Sequence, residues 1–476
     1  MWRAQCPIPN AKGVNSLLYR FTPERAGTFW YHGHWHEQYP DGLIGPLIVT
    51  SAEDTAAAAA GHADSTAPMA EIVMMPADFY DAPASSLVPA YLSPASGGDE
   101  PLPDRFVVNG LVSGGAFNTT VKRSGGPIRL RIINAAAFSM YKISVDGLPL
   151  TLVELDGSAV KPMDLPFIVM NVAQRASVIL DFDRLHPDVA ASPSLWVRVT
   201  GMPEMYPPYD PTAADLGLRG TVGGGVLDMN WTGLLTFEGE GGGAPAYTSV
   251  PPLAVSPQAE TNLVAARPVP AERAPDATQS IYFEVVFDAD ANGVNRAYIN
   301  GATSPGPSAV SLAVPTLHAY ASPEGGPLTV PERLTGTLEG SATAPFLIPS
   351  GRVIEVLINN TDGGEHPFHL HGHSFWIVAT SEAPEAATLY ASNYVRRDVV
   401  SVPAQGWATI RVVANNPGIW LLHCHIECVI MSLLFHTCSR TDFAPAAPPA
   451  APSARHQLQL VRNHDLLRLA LCPRSR

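Results

Sequence analysis

Gly418-Ile419-Trp420-Leu421-Leu422-His423-Cys424-His425 ends a short apolar run with a thiol between two imidazoles. Read as a strand, the segment sends successive side chains to opposite faces, so Cys424 points one way while His423 and His425 point the other. One segment can therefore serve two metal sites. Upstream, His366-Pro367-Phe368-His369-Leu370-His371 answers it, with His369 and His371 on a common face. A third pair, His32 and His34, closes Gly27-Thr28-Phe29-Trp30-Tyr31-His32-Gly33-His34 near the start. Three such pairs converging make an imidazole-rich cage. A thiolate flanked by imidazoles is a soft, mixed donor set of the kind that selects copper, although zinc accepts the same nitrogens.

The rest of the chain supplies the scaffold. Short alternating or β-branched runs, among them Ile128-Arg129-Leu130-Arg131-Ile132-Ile133 and Val353-Ile354-Glu355-Val356-Leu357-Ile358, are separated by Pro, Gly, Asn and Asp. That pattern reads as all-β, a tandem of Greek-key β-sandwiches. With 46 Pro and 39 Gly, long helices have little room. Composition divides the 476 residues into a first unit over 1–54, a second over 68–240, a third over 280–440 and a Pro/Ala-rich tail over 444–476. The first unit is too short to close a sandwich and is expected to leave strand edges unpaired.

A content of 46% hydrophobic and 15% charged residues supports several cores and argues against a disordered chain. The net charge of −14 disfavours nucleic acid and anionic membrane surfaces as partners and suits cationic substrates, metal ions included. No apolar run is long enough to predict a membrane span. The five cysteines, Cys6, Cys424, Cys428, Cys438 and Cys472, define no disulfide framework by spacing. Sequons at Asn118, Asn230 and Asn359 permit glycosylation on a secretory route, although no signal peptide is visible at Met1-Trp2-Arg3.

The two late motifs, with Gln5-Cys6-Pro7-Ile8-Pro9 and the stretches from Gly27 to Val49, Ile128 to Asp183 and Val353 to Glu427, resemble those of multicopper oxidases, the family of laccases, ascorbate oxidases and fungal iron oxidases. The resemblance implies cupredoxin domains, an extracellular or secretory setting, and one-electron oxidation of a phenol or of Fe(II) coupled to reduction of dioxygen to water. It implies type 1 copper on His366 and Cys424, type 2 copper on His369, and a type 3 pair on His32, His34, His371, His423 and His425. Glu427 matches an acidic residue that supports proton transfer to reduced oxygen. Asp362 matches a carboxylate at the type 1 rim of iron-oxidising relatives. Oligomeric state has no signature.

This sequence also departs from the pattern. The family's first His-x-His motif falls upstream of Gln5, where only Met1 to Ala4 stand, so the expected copper cluster is incomplete and the first cupredoxin domain truncated. Val429 occupies the position of the second type 1 histidine. Neighbouring Cys428 would point in a different direction on a continuing strand or turn, and His436 is a more distant candidate with no local pattern behind it. Leu434 stands at the axial position, as in several relatives. These departures lead us to expect impaired turnover. The alternatives are an inactive copper-binding or structural relative and a histidine-rich zinc protein, the latter disfavoured by Cys424.

Overall fold

The computed structural model describes residues 19, 21, 23, 25–34, 36–50, 69–114, 116–206, 228–240, 274–301, 344–384, 394–426, 435–440 and 468–470. Strands dominate these residues, and the one α-helix among them is the short Ala84–Tyr91. Among the described residues no helix is long and apolar enough to cross a membrane.

Strands between Ala70 and Phe237 build two five-stranded sheets. One runs Ser158–Leu165, Leu150–Leu155, Arg175–Leu180, Ile128–Ile133, Ala70–Met74; the other runs Ile168–Met170, Tyr141–Val145, Ser194–Gly201, Asn230–Phe237, Ala116–Val121. Alternation drives their pairing into a sandwich. In Tyr141–Val145 and Asn230–Phe237 every second residue is buried, while the residues between are less so. Met74, Leu130, Ile132, Val145, Val178, Val197 and Leu235 meet in the resulting core.

A second pair of sheets carries the late motifs. Asn295–Ile299, Gln279–Ala289, Val353–Asn360, Trp407–Val413, Phe375–Thr380 and Arg396–Arg397 form a six-stranded layer. Ala344–Pro349, Phe435–Arg440, Gly418–Cys424, His366–Leu370 and Val399–Val402 form the five-stranded layer beside it. Phe368, Cys424 and Leu422 belong to the core cluster together with Val356 and Ile410. The sheets thus have the sandwich architecture expected of cupredoxin domains.

The first unit is a small sheet in which Gly27–His32 pairs antiparallel with Ile44–Thr50. The other edge of Ile44–Thr50 is taken by Arg468–Ala470 in parallel register, the described part of the Pro/Ala-rich tail. The sheet also leans on the second unit. Gly27, at φ +148°, approaches Gly157 so closely that an added Cβ would sit 2.6 Å from the Gly157 Cα.

The run Ile128–Ile133 explains this docking. Ile128, Leu130 and Ile132 face the sandwich core, whereas Arg129, Arg131 and Ile133 face the first unit and are buried there. Both guanidiniums converge on Glu154, which also accepts from Ser177 Oγ and from Thr28 N, the latter at 2.5 Å. Burial penalises the Glu154 carboxylate, but the two arginines and these donors overcome that cost and bring its pKa to about 2.

A carboxylate with a depressed folded pKa stabilises the fold above its unfolded pKa of about 4.5 and loses that contribution as pH falls toward about 2. Glu154→Gln should therefore cost about 3 kcal/mol at neutral pH. The deficit against the unsubstituted chain should shrink steadily below pH 4.5 when denaturant unfolding is followed across pH. A deficit independent of pH would show that the carboxylate charge is not what the arginines hold.

Candidate metal centre

The antiparallel pairing of His366–Leu370 with Gly418–Cys424 sets the geometry. Phe368 lies opposite Cys424, and His369 lies opposite His423. Parity then places His366 with Cys424 on one face and His369, His371, His423 and His425 on the other.

On the first face, Cys424 is fully buried and is a free thiol. Its Sγ lies 3.5 Å from His366 Nδ1. Burial raises the thiol pKa, so the sulfur keeps its proton unless a cation replaces it. The other nitrogen of the same ring, His366 Nε2, lies 3.1 Å from Asp362 Oδ2. Donation from Nε2–H to that carboxylate leaves the Nδ1 lone pair facing the sulfur. Phe287 stacks on the ring at 5.0 Å, with 17° between planes. For Asp362, burial works against ionisation, but the hydrogen bond and charge of His366 prevail and hold its pKa below the usual value.

On the second face the imidazoles form one continuous cluster. His371 and His423 bring their Nε2 atoms to 3.0 Å. His34 sits 5.0 Å from His371 and 5.8 Å from His423 between ring centroids, and His32 lies 4.4 Å from His34 and 4.9 Å from His425. His369 lies 4.7 Å from His371. Trp30 stacks on His32, and buried Tyr39 packs against both His32 and His425. All six sequence-selected imidazoles of this face therefore meet, although their segments are far apart along the chain.

The hydrogen bonds prepare these rings as donors. Nδ1 of His32, His369 and His423 faces the carbonyls of Gly33, Asp398 and Cys424 at 3.1, 2.7 and 2.8 Å. Donation there fixes the tautomer and leaves each Nε2 with its lone pair. Burial first, and neighbouring imidazoles second, hold His34 at a pKa of about 4 and push His423 and His425 well below the usual value. His425 Nδ1 is buried without a hydrogen-bond partner. Donor atoms of His34, His371 and His423 all lie within 4.8 Å of one another. Neutral nitrogens gathered this closely, beside a buried nitrogen of His425 without a hydrogen-bond partner, fit a cationic guest.

Glu427, Cys428, Val429 and Leu434, with the side chains of His36 and His436, lie outside the described residues. One feature escaped sequence reading: Glu100, in the loop after Pro94–Ser96, acts electrostatically on both Asp362 and Cys424. Burial, reinforced by the like charge of Asp362, raises its pKa to about 8. Asp99-Glu100 reads as an ordinary solvated loop, and only the docking of the second and third units brings it here.

Family profiles described as multicopper oxidase match residues 2–54, 70–189 and 310–436. Laccase-5 of Trametes villosa is 33% identical over 434 residues, which are 89% of this chain and 72% of that protein. The iron transport multicopper oxidase fetC of Epichloe festucae is 30% identical over 448 residues, 91% of this chain and 63% of the relative. Among solved structures, Fet3p, described as a multicopper oxidase that functions in iron import, superposes with a TM-score of 0.66 at 23% identity, over 87% of this chain and 72% of that one. The laccase of Botrytis aclada gives 0.65 at 22% identity, over 88% and 71%.

A guest ion that binds only the folded cluster stabilises the chain by mass action. Copper at a hundredfold excess over its dissociation constant should add about 2.7 kcal/mol to unfolding, visible in calorimetry as a raised melting temperature. His371→Ala and His423→Ala should each abolish most of that rise. An equal rise in the variants would place the bound ion elsewhere.

Proposed function

This chain belongs to the multicopper oxidase family, and we propose that it oxidises a one-electron reductant at the Cys424 face and reduces dioxygen to water at the imidazole face. The observation that carries the reading is the strand parity that sets Cys424, with His366 beside it on the paired strand, back to back with His423 and His425. Copper, when bound, supplies a couple that accepts electrons singly and passes them to dioxygen. His366 and Cys424 would hold the type 1 ion, His369 the type 2 ion, and His32, His34, His371, His423 and His425 the type 3 pair.

The protein's own groups then have distinct tasks. Cys424 gives up its proton on metal binding, and its two peptide links lead directly to His423 and His425. The apolar packing of Phe368, Leu422 and Ile426 around it keeps water from the sulfur. Asp362 orients His366 and, at partial exposure, gives the face a carboxylate that a reductant can reach. Glu427, directly after the last histidine pair, is proposed as a proton donor to reduced oxygen.

As reductant we favour a divalent metal ion, Fe(II), over a phenol. The carboxylate of Asp362 is close enough to Glu100 to disfavour ionisation of Glu100. A cation bridging them would relieve that repulsion, and because hard oxygen donors bind Fe(III) more tightly than Fe(II), its oxidation would be favoured. Glu100→Gln should cut kcat/KM for Fe(II) about tenfold, the scale of one lost charge-assisted contact, while phenol oxidation falls far less. Parallel loss of both activities would dismiss the iron preference.

A second reading has its own observation. Val429 stands where the family pattern has a type 1 imidazole, and a valine donates nothing to a metal. On this reading the chain holds copper with little turnover. Val429→His should then strengthen the blue thiolate-to-copper absorption and oxygen uptake together. Vigorous uptake by the unsubstituted chain would exclude this reading.

A further inference from the structure

The second unit carries none of the proposed ligands, yet one of its side chains touches the supports of two of them. Arg175, on the strand Arg175–Leu180, is buried where the three units meet. Its guanidinium binds Asp398 in two-pronged fashion, Nη1 to Oδ1 at 2.5 Å and Nη2 to Oδ2 at 2.8 Å. The carbonyl of the same Asp398 accepts from His369 Nδ1 at 2.7 Å and from the Leu370 amide at 3.1 Å. Arg175 Nε meanwhile donates to the carbonyl of Thr28 at 3.2 Å, on the strand that ends at His32.

The guanidinium is itself held. Its Nη1 also meets the Ala173 carbonyl at 3.2 Å, and its own backbone amide donates to Asp156 Oδ1 at 2.7 Å. Asp156, at φ +46° in the turn before Gly157, uses its other oxygen to accept from Arg397 Nε at 2.7 Å. Arg397 and Asp398 are sequence neighbours, so the third unit is gripped from the second through two adjacent residues. Planar two-pronged pairing fixes orientation as well as distance, which a lysine cannot reproduce.

We propose that Arg175 is a positioning residue for the imidazole cluster, orienting His369 through Asp398 and registering the His32 strand through Thr28. The proposal rests on the copper reading of the cluster. On this account the second unit sets the relative placement of ligands that arrive from the first and third.

The test uses the full chain loaded with Cu(II), read by electron paramagnetic resonance and by competition with a chelator. Arg175→Lys and Asp398→Asn should each shift the hyperfine splitting of the histidine-bound type 2 signal and weaken its copper about tenfold, the scale set by loss of an outer-shell partner. Arg198→Lys provides the control. Arg198 makes a comparable two-pronged pair with Asp146 in the same unit, at 2.8 and 2.7 Å, away from the cluster. It should lower stability and leave the spectrum unmoved. A type 2 signal unchanged in both test variants, or shifted equally in the control, overturns the proposal alone. Absence of any histidine-bound copper signal in the unsubstituted chain overturns the copper reading and this proposal with it.

Discussion

The pairing of His366–Leu370 with Gly418–Cys424 is the constraint from which the centre follows. Because a strand repeats every two residues, the register that puts Phe368 opposite Cys424 assigns every donor in both segments to a face. A slip by one residue would turn Cys424 toward the imidazoles and His423 into the hydrophobic core. The apolar residues interleaved with the donors oppose such a slip. Phe368, Leu370 and Leu422 are buried in the core, so misregistration would expose large side chains as well as scatter the ligands.

Register within a sheet does not bring separate units together. An apolar cluster in which Ile48 packs with Val73, Met75 and Ile133 shares that task with buried charge. Glu154 gathers Arg129, Arg131 and Thr28, while Arg175 and Arg397 reach Asp398 and Asp156. Buried ion pairs contribute little net stability compared with apolar contacts, but they tolerate few alternative arrangements. The apolar contacts supply burial, and the charged groups add direction. Hydrogen-bonded carboxylates and guanidiniums define one docking pose, and His32 and His34 come into contact with His371 and His425 only in that pose.

Much of this was legible along the chain because it depends on parity. His369 with His371, His423 with His425, and Cys424 between them follow from counting residues on a strand, as does the sandwich from runs such as Val353–Asn360. The neutral imidazoles were legible only as a set, since their low proton affinity arises from mutual burial after assembly. Arg129 and Arg131 illustrate what the sequence conceals. In Ile128–Ile133 they look like the solvated face of an amphipathic strand, yet both are buried because another unit covers that face. The carboxylates of Asp398 and Glu100 are hidden for the same reason: Arg175 and Asp362, which act on them, lie in other units, and no local pattern marks a residue that acts across an interface.

The same division separates what the scaffold holds firmly from what it leaves adjustable. The proposed metal donors sit on strands or within a residue or two of strand ends, where backbone pairing limits their movement to small displacements. The carboxylates near the Cys424 face sit instead on connections, Asp362 in the turn before His366 and Glu100 in the loop after Pro94–Ser96. Loops change without disturbing a core, so the approach of the reductant can be altered while the donors stay in place. On the proposed reading, electron entry is therefore coded by tertiary contact and electron transfer by strand parity. This is why short motifs identify the metal chemistry sharply while the choice of reductant depends on groups that meet only in the folded chain.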